Sequence, residues 1–167
     1  MLTADLQAMV DGPVPLFIAV DEEGGRVVRM RKGITPPPAQ EEVAATGKPE
    51  EATRWALATG QALKAIGINV NFAPVADLGP EKRGRAYSAD PEVCAPFLRA
   101  AAAGYEQAGE LYTLKHFPGL GKSWVDTHVD TDQVTASHAV LAGVDIVLIA
   151  QERKSVAEGK SVELVGR

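Results

Sequence analysis

Cysteine is almost absent from this sequence, which has only Cys94 among its 167 residues. A single cysteine excludes an internal disulfide and a metal site made of several thiolates, so no part of the fold requires an oxidising compartment. Free cysteine is among the most frequently buried residue types. We therefore expect Cys94 to be a packing residue on a helix.

Long apolar runs and basic clusters are also missing. No run approaches the ~20 apolar residues that are needed to cross a bilayer, and residues 1–5 lack the charged and apolar regions of a signal peptide. The longest basic cluster lies at residues 29–32, in a chain of net charge −5. These absences disfavour nucleic acids and membranes as partners. They predict a cytoplasmic protein that acts on a small molecule, if the N-terminus is the natural one; they do not indicate an oligomeric state.

Hydrophobic residues make up 46% of the chain, which is enough for a core in one domain spanning residues 1–167. Short apolar runs predict strands, and apolar residues at helical spacing predict helices. The predicted strands are 15–20, 68–74, 111–114 and 144–150, the predicted helices are 50–66, 91–108 and 133–142, and a proline-rich loop covers 33–40. Strand, polar turn and helix in repetition predict an α/β fold with a parallel sheet.

Polar residues follow three of the predicted strands, at residues 21–29, 77–85 and 115–128. A single charged residue in a loop is often only solvated. In parallel α/β folds, however, ligands bind at the carboxyl ends of the strands. Three successive polar strand ends therefore predict a binding site.

Residues 121–123, Gly-Lys-Ser, follow a strand and suggest a phosphate-binding loop. Such a loop requires a first glycine five positions before the second, and His116 occupies that position. Pro118 also removes one backbone N–H from the loop. A P-loop-like nucleotide-binding protein is therefore only a secondary alternative.

Four motifs occur in order along the chain: AVDEEGGRVVR at 19–29, GINVNFAPVAD at 67–77, GRAYSADP at 84–91, and KHFPG at 115–119 followed by DTH at 126–128. Together they resemble the family 3 glycoside hydrolases of the bacterial β-N-acetylglucosaminidase type. The resemblance implies a (β/α)8, TIM-barrel-like fold. It also implies hydrolysis of terminal β-linked N-acetylglucosamine from peptidoglycan or chitin-type fragments, by a retaining mechanism without a cofactor or metal, and a place in peptidoglycan recycling.

The resemblance also implies roles for individual residues. His128 would protonate the leaving oxygen and Asp126 would tune it, which is chemically reasonable because an imidazole titrates near neutral pH. The residues implied in sugar binding are Asp21, Arg29, Arg85, Lys115 and His116. A carboxylate can accept hydrogen bonds from vicinal hydroxyls while the cations donate to them. Tyr87 and Trp124 are the candidates for stacking on the sugar ring.

Some departures from the family pattern are tolerable, such as Leu120 where His is commoner and Glu22 where Gln is usual, but two are serious. A (β/α)8 barrel typically needs ~250 residues, whereas this chain has 167 and four predicted strands, so the barrel is expected to be incomplete. The family nucleophile, an Asp in a [ST]-D-[DA]-[LF]-x-M segment, also has no good copy. Asp132 lies only four residues from His128, and Asp145 lies inside a predicted strand. A catalytically dead, sugar-binding relative is therefore the first alternative.

A metal-dependent hydrolase is a further alternative, based on His128, Asp130, Asp132 and His138. These ligand types suit a divalent ion. Their spacing, however, matches no known kind of site.

Overall fold

The structure, a computed structural model, describes residues 2–78 and 84–116. Its helices are α1 (Leu2–Ala8), α2 (Gln40–Ala44), α3 (Pro49–Ala65) and α4 (Pro91–Ala108), and its strands are β1 (Ala19–Val20), β2 (Val70–Asn71) and β3 (Leu111–Tyr112). The helix predicted at 133–142 and the strand predicted at 144–150 lie outside the described residues. A single domain over residues 1–167 stays a prediction.

The three strands form one parallel sheet in the order β1, β2, β3. Ala19 pairs with Val70, and Val70 pairs with Leu111. Parallel hydrogen bonds continue past the strand ends, since the Thr113 N–H donates to Asn71 at 3.1 Å and the Lys115 N–H donates to Pro74 at 3.2 Å. The predicted parallel α/β arrangement is confirmed for these strands.

The two long helices have nearly the predicted bounds. A proline in the first turn starts each of them, because proline has no N–H to lose there and its φ suits a helix. Asp90 caps α4 by accepting a hydrogen bond from the Glu92 N–H at 2.9 Å. The helix ends at Ala108, as the sequence predicts, and Gly109 is its C-cap.

Helices α3 and α4 pack against each other and form the core. The crossing is close at Gly104, where an added Cβ would lie 2.8 Å from the Cβ of Ala56. Only glycine allows that approach without a shift of α3. The buried residues of the two helices include Ala52, Ala56, Leu63, Phe97, Leu98, Ala101 and Tyr105.

Cys94 is fully buried on α4, which confirms the packing role predicted for it. Burial raises the pKa of its thiol to about 11. The thiolate is the reactive form of cysteine, so this side chain is chemically inert at neutral pH.

Two short helices were not predicted. Helix α2 begins at Gln40, the last residue of the predicted proline-rich loop. The Gln40 side chain is buried and bonds both backbone groups of Val75, accepting from its N–H at 2.8 Å and donating to its carbonyl at 2.9 Å. These long-range bonds attach α2 to the segment after β2, and no local sequence pattern predicts them.

Candidate functional site

The ends of β1 and β3 bring two predicted site residues into contact. Asp21 follows β1 directly, and Lys115 lies three residues beyond β3. The Lys115 Nζ lies 2.5 Å from Asp21 Oδ1, although the two residues are 94 positions apart. Because the strands are parallel and adjacent to β2, their carboxyl ends meet at one edge of the sheet.

A tight glycine turn after β1 places Glu23 beside this pair, and Asp21, Glu23, Arg85 and Lys115 together form an ion-paired cluster. The Glu23 N–H and that of Gly24 both donate to the Val27 carbonyl, at 3.1 and 3.2 Å. Gly24 has φ +96°, and an added Cβ would lie 2.8 Å from the Pro37 carbonyl oxygen. A side chain at position 24 is therefore excluded, and the turn packs closely against the loop before α2.

Glu23 is the anion that joins the two neighbouring cations. Its carboxylate accepts two hydrogen bonds from Arg85, from Nε and Nη2, each at 2.8 Å. It also lies 2.5 Å from Lys115 Nζ. Burial alone would raise the pKa of Glu23, but hydrogen bonds from Arg85 and Lys115 outweigh it and lower the pKa below its usual value. The hydrogen bond to Glu23 likewise raises the pKa of Arg85.

His116 is held by a carboxylate on the segment after β2. Its Nδ1 lies 2.6 Å from Asp77 Oδ2, and its backbone N–H donates to Asp77 Oδ1 at 3.1 Å. The Asp77 side chain is only 1% exposed, whereas the imidazole is about one third exposed. A carboxylate at Nδ1 orients the ring, so its Nε2 is directed away from Asp77.

Arg29 is connected through its backbone to Glu22, beside Asp21 and Glu23 in the chain. Its N–H and that of Met30 donate to the buried carboxylate of Glu22 at 2.8 and 2.9 Å. The Glu22 backbone in turn bonds the Asn71 side chain, which also donates to the Tyr105 hydroxyl at 3.0 Å. This chain of bonds anchors the 22–30 turn to β2 and α4.

One predicted contact residue has a different environment. Tyr87 is buried and its ring stacks on Phe97 at 5.4 Å between centroids. The prediction that Tyr87 offers a face to a sugar was therefore wrong, because its ring belongs to the core. Trp124, Asp126 and His128 lie outside the described residues, as do the four ligands of the metal-dependent alternative.

Sequence reasoning gave no role to Glu23 or Asp77, although Glu23 binds both Arg85 and Lys115 and Asp77 holds His116. Glu23 is the second acid of the DEEGG turn, and Asp77 is the acid that follows the second strand. Each of these acids is buried and lies beside a basic side chain from another segment. Such a pair is visible only when the strands are aligned.

The described part of the chain contains no group of three or more His, Cys, Asp or Glu residues that could hold a metal ion. Within residues 2–78 and 84–116, no helix is long and apolar enough to cross a membrane.

Comparison with known sequences identifies relatives of the chain. Residues 1–148 match the glycosyl hydrolase family 3 N terminal domain. A Beta-hexosaminidase of Stenotrophomonas maltophilia (strain K279a) is 38% identical over 87% of this chain and 51% of its own length. A Beta-hexosaminidase of Xylella fastidiosa (strain 9a5c) is 40% identical over 83% of this chain and 48% of its own length. The chain thus spans about half the length of these relatives.

Two solved structures are also similar to this chain. A glycoside hydrolase family 3 beta-N-acetylglucosaminidase from Paenibacillus sp. has a TM-score of 0.78 and 35% identity, over 95% of this chain and 31% of its own. NagZ from Neisseria gonorrhoeae, in complex with N-trifluoroacetyl-D-glucosamine, has a TM-score of 0.77 and 30% identity, over 96% of this chain and 49% of its own.

Proposed function

The chain belongs to glycosyl hydrolase family 3, and on this premise we propose that it acts on terminal β-linked N-acetylglucosamine in peptidoglycan or chitin-type fragments. The sugar binds at the carboxyl ends of the strands, against Asp21, Arg29, Arg85, Lys115 and His116. The names of the relatives support this substrate class, and the NagZ complex contains an N-acylated glucosamine.

The observation that carries the proposal is the pairing of Asp21 with Lys115. The Asp21 carboxylate is 43% exposed and the Lys115 side chain 13%, so an acceptor and a donor lie side by side at the rim of the cluster. Adjacent sugar hydroxyls require the same combination, because each of them both donates and accepts. Charged partners make such hydrogen bonds strong and directional.

The balance of charge among the four ion-paired side chains Asp21, Glu23, Arg85 and Lys115 favours a neutral ligand. The two carboxylates, Asp21 and Glu23, offset the two cations, Lys115 and Arg85. Phosphate binding favours uncompensated positive charge and backbone N–H groups directed at the anion. A sugar is therefore a better fit to this cluster than a nucleotide.

The described helices and parallel strands are part of an incomplete (β/α)8-type barrel in this proposal. A parallel sheet with helices on its face agrees with that architecture. We further propose a cytoplasmic location. We also propose a role in peptidoglycan recycling, which the family resemblance implies.

Asp126 and His128 form the acid/base pair of a retaining mechanism in this proposal. His128→Ala should reduce turnover of substrates with poor leaving groups far more than turnover of activated aryl glycosides, since only the former need protonation. Rates measured on an alkyl and a nitrophenyl N-acetylglucosaminide test this assignment. Equal losses on the two substrates would contradict it.

Binding of N-acetylglucosamine to the purified chain tests the substrate class. The free sugar should raise the melting temperature, and Asp21→Ala should weaken its affinity by about tenfold or more, because a charged hydrogen bond is lost. Glu51→Gln, a change on the outer surface of α3, is the control and should leave binding unaltered.

The same assay separates the alternatives. Binding without release of nitrophenol from the aryl substrate would indicate the sugar-binding relative that has lost turnover. Stabilisation by ATP or inorganic phosphate, but not by N-acetylglucosamine, would overturn the proposal in favour of a nucleotide-binding protein.

A further inference from the structure

We propose that Glu23 is the positioning residue of the sugar site, because one buried carboxylate holds both Arg85 and Lys115 in the orientation in which they meet the ligand. This inference rests on the proposed function for the identity of the ligand. The arrangement in which Glu23 holds Arg85 and Lys115, called the clamp below, is a property of these three side chains and needs no ligand.

The burial of Glu23 distinguishes it from a ligand-contacting acid. Its side chain is 2% exposed, compared with 43% for Asp21, which bonds the same ammonium. Glu23 also lines a recess with Pro74, Tyr87 and Tyr105. Asp21 can therefore reach a ligand at the rim, whereas Glu23 acts through the cations.

The hydrogen bonds that Lys115 and Arg85 already make determine which of their N–H donors remain for a sugar. An ammonium has three N–H donors, and within the described residues Asp21 and Glu23 take two of those on Lys115. The third is held in one direction instead of rotating freely. Glu23 also takes Nε and one Nη2 donor of Arg85, and no hydrogen bond from another described residue reaches the opposite edge of the guanidinium, which faces the ligand in this proposal.

Each cation would lose this orientation if Glu23 lost its charge. Glutamine has the same shape, but its amide nitrogen is a donor and cannot face a second cation. Lys115 would then depend mainly on Asp21, which is itself partly exposed. The ordering of both side chains would have to be supplied by the ligand, which weakens binding.

Amine labelling of Lys115 in Glu23→Gln tests the clamp without any sugar. Acetylation of each lysine is followed by mass spectrometry, with Lys48 and Lys64 as internal references. We expect Lys115 to be labelled roughly tenfold faster in the variant, since it loses a charge-assisted bond, while the references keep their rates. Glu110→Gln, which changes a buried glutamate at the other end of the sheet, should leave Lys115 labelling unaltered.

Sugar binding is the second readout on the same proteins. Glu23→Gln should weaken N-acetylglucosamine binding by about tenfold or more, whereas Glu110→Gln should have no effect. Faster labelling of Lys115 with no sugar binding even in the unaltered chain would keep the clamp and reject the proposed ligand.

Two results would overturn the positioning role. One is an unchanged Lys115 labelling rate in Glu23→Gln. The other is a uniform rise at Lys48, Lys64 and Lys115, since it would show a general loosening of the fold and no specific clamp.

Discussion

Glu23 and Glu110 are both buried glutamates beside strands of one sheet, but they lie at opposite ends of it and have opposite environments. Glu23 follows β1 and is paired with Arg85 and Lys115. Glu110 precedes β3 and is 3% exposed, and neither of its carboxylate oxygens has a hydrogen-bond partner among the described residues. The same side chain is thus satisfied at one end of the sheet and isolated at the other.

The difference separates a buried acid that is paired with cations from a destabilising one whose carboxylate is not hydrogen-bonded within the described residues. Burial raises the pKa of Glu110 to about 7, and the nearby charge of Lys64 only partly opposes this. At Glu23, two cations reverse the effect of burial and lower the pKa. Glu23 is therefore retained as an anion because two cations converge on it, whereas Glu110 has no hydrogen-bonded cation among the described residues.

The largest effect is expected for Lys115→Met, which removes the cation between Asp21 and Glu23. Two neighbouring carboxylates would then lose their shared partner, and breaking such a buried pair costs about 3 kcal/mol or more. Urea denaturation near neutral pH measures the change in the free energy of unfolding. Lys64→Met is the control: its ammonium donates to carbonyls at the end of α4, and its loss should cost about 1 kcal/mol. Equal costs for the two variants would contradict the comparison.

The next effect is expected for Glu110→Gln, and it depends on pH. Below the usual pKa of 4.5 both folded and unfolded glutamate are protonated, so the carboxyl imposes no penalty. As the pH rises from 4.5 to about 7, the unfolded chain loses its proton first and the fold loses stability, by up to about 3 kcal/mol.

Glu110→Gln should therefore raise the melting temperature relative to the unaltered chain at about pH 8 and have little effect at about pH 4. The measurement is thermal unfolding at both values. Glu23→Gln should behave in the opposite way: the stability that ionised Glu23 provides is present above its ordinary pKa of 4.5 and is lost as the pH falls through its lowered pKa in the fold. If the melting temperatures of the two variants, relative to the unaltered chain, changed with pH in the same direction, the contrast between Glu23 and Glu110 would be disproved.

The smallest effect is expected for Glu51→Gln, which breaks a salt bridge on the surface of α3. Glu51 lies 2.6 Å from Arg54, but the Arg54 side chain is largely exposed. Exposed pairs of this kind contribute under about 1 kcal/mol. Urea denaturation should show a change below about 0.5 kcal/mol, and a loss as large as that of Lys115→Met would show that burial does not govern the strength of these pairs.

Much of the fold follows from local sequence. The proline-initiated helices α3 and α4 and the strand segments around Ala19, Val70 and Leu111 were predicted close to their observed positions. Each depends on residues a few positions apart, through apolar periodicity and capping. Tyr87 shows the limit of such reasoning, because its burial depends on its packing in the core, including its contact with Phe97 on α4.

The candidate site shows the same division. Asp21, Arg85, Lys115 and His116 were predicted from motifs, and the strand ends bring Asp21 and Lys115 into contact. The partners of Arg85 and His116 were not predicted. Arg85 pairs with Glu23 across 62 positions, and His116 pairs with Asp77 across 39.

The sequence by itself determined the strands, the long helices and the chemical types of residue at each strand end. These are local properties, set by backbone preferences and by the spacing of apolar side chains. Tertiary structure alone decided which acids face which cations, and hence that Glu23 is an anchored anion and Glu110 an isolated carboxyl. The physical reason is that the charge state of a buried group depends on the distance and desolvation of its partners, which sequence separation does not encode.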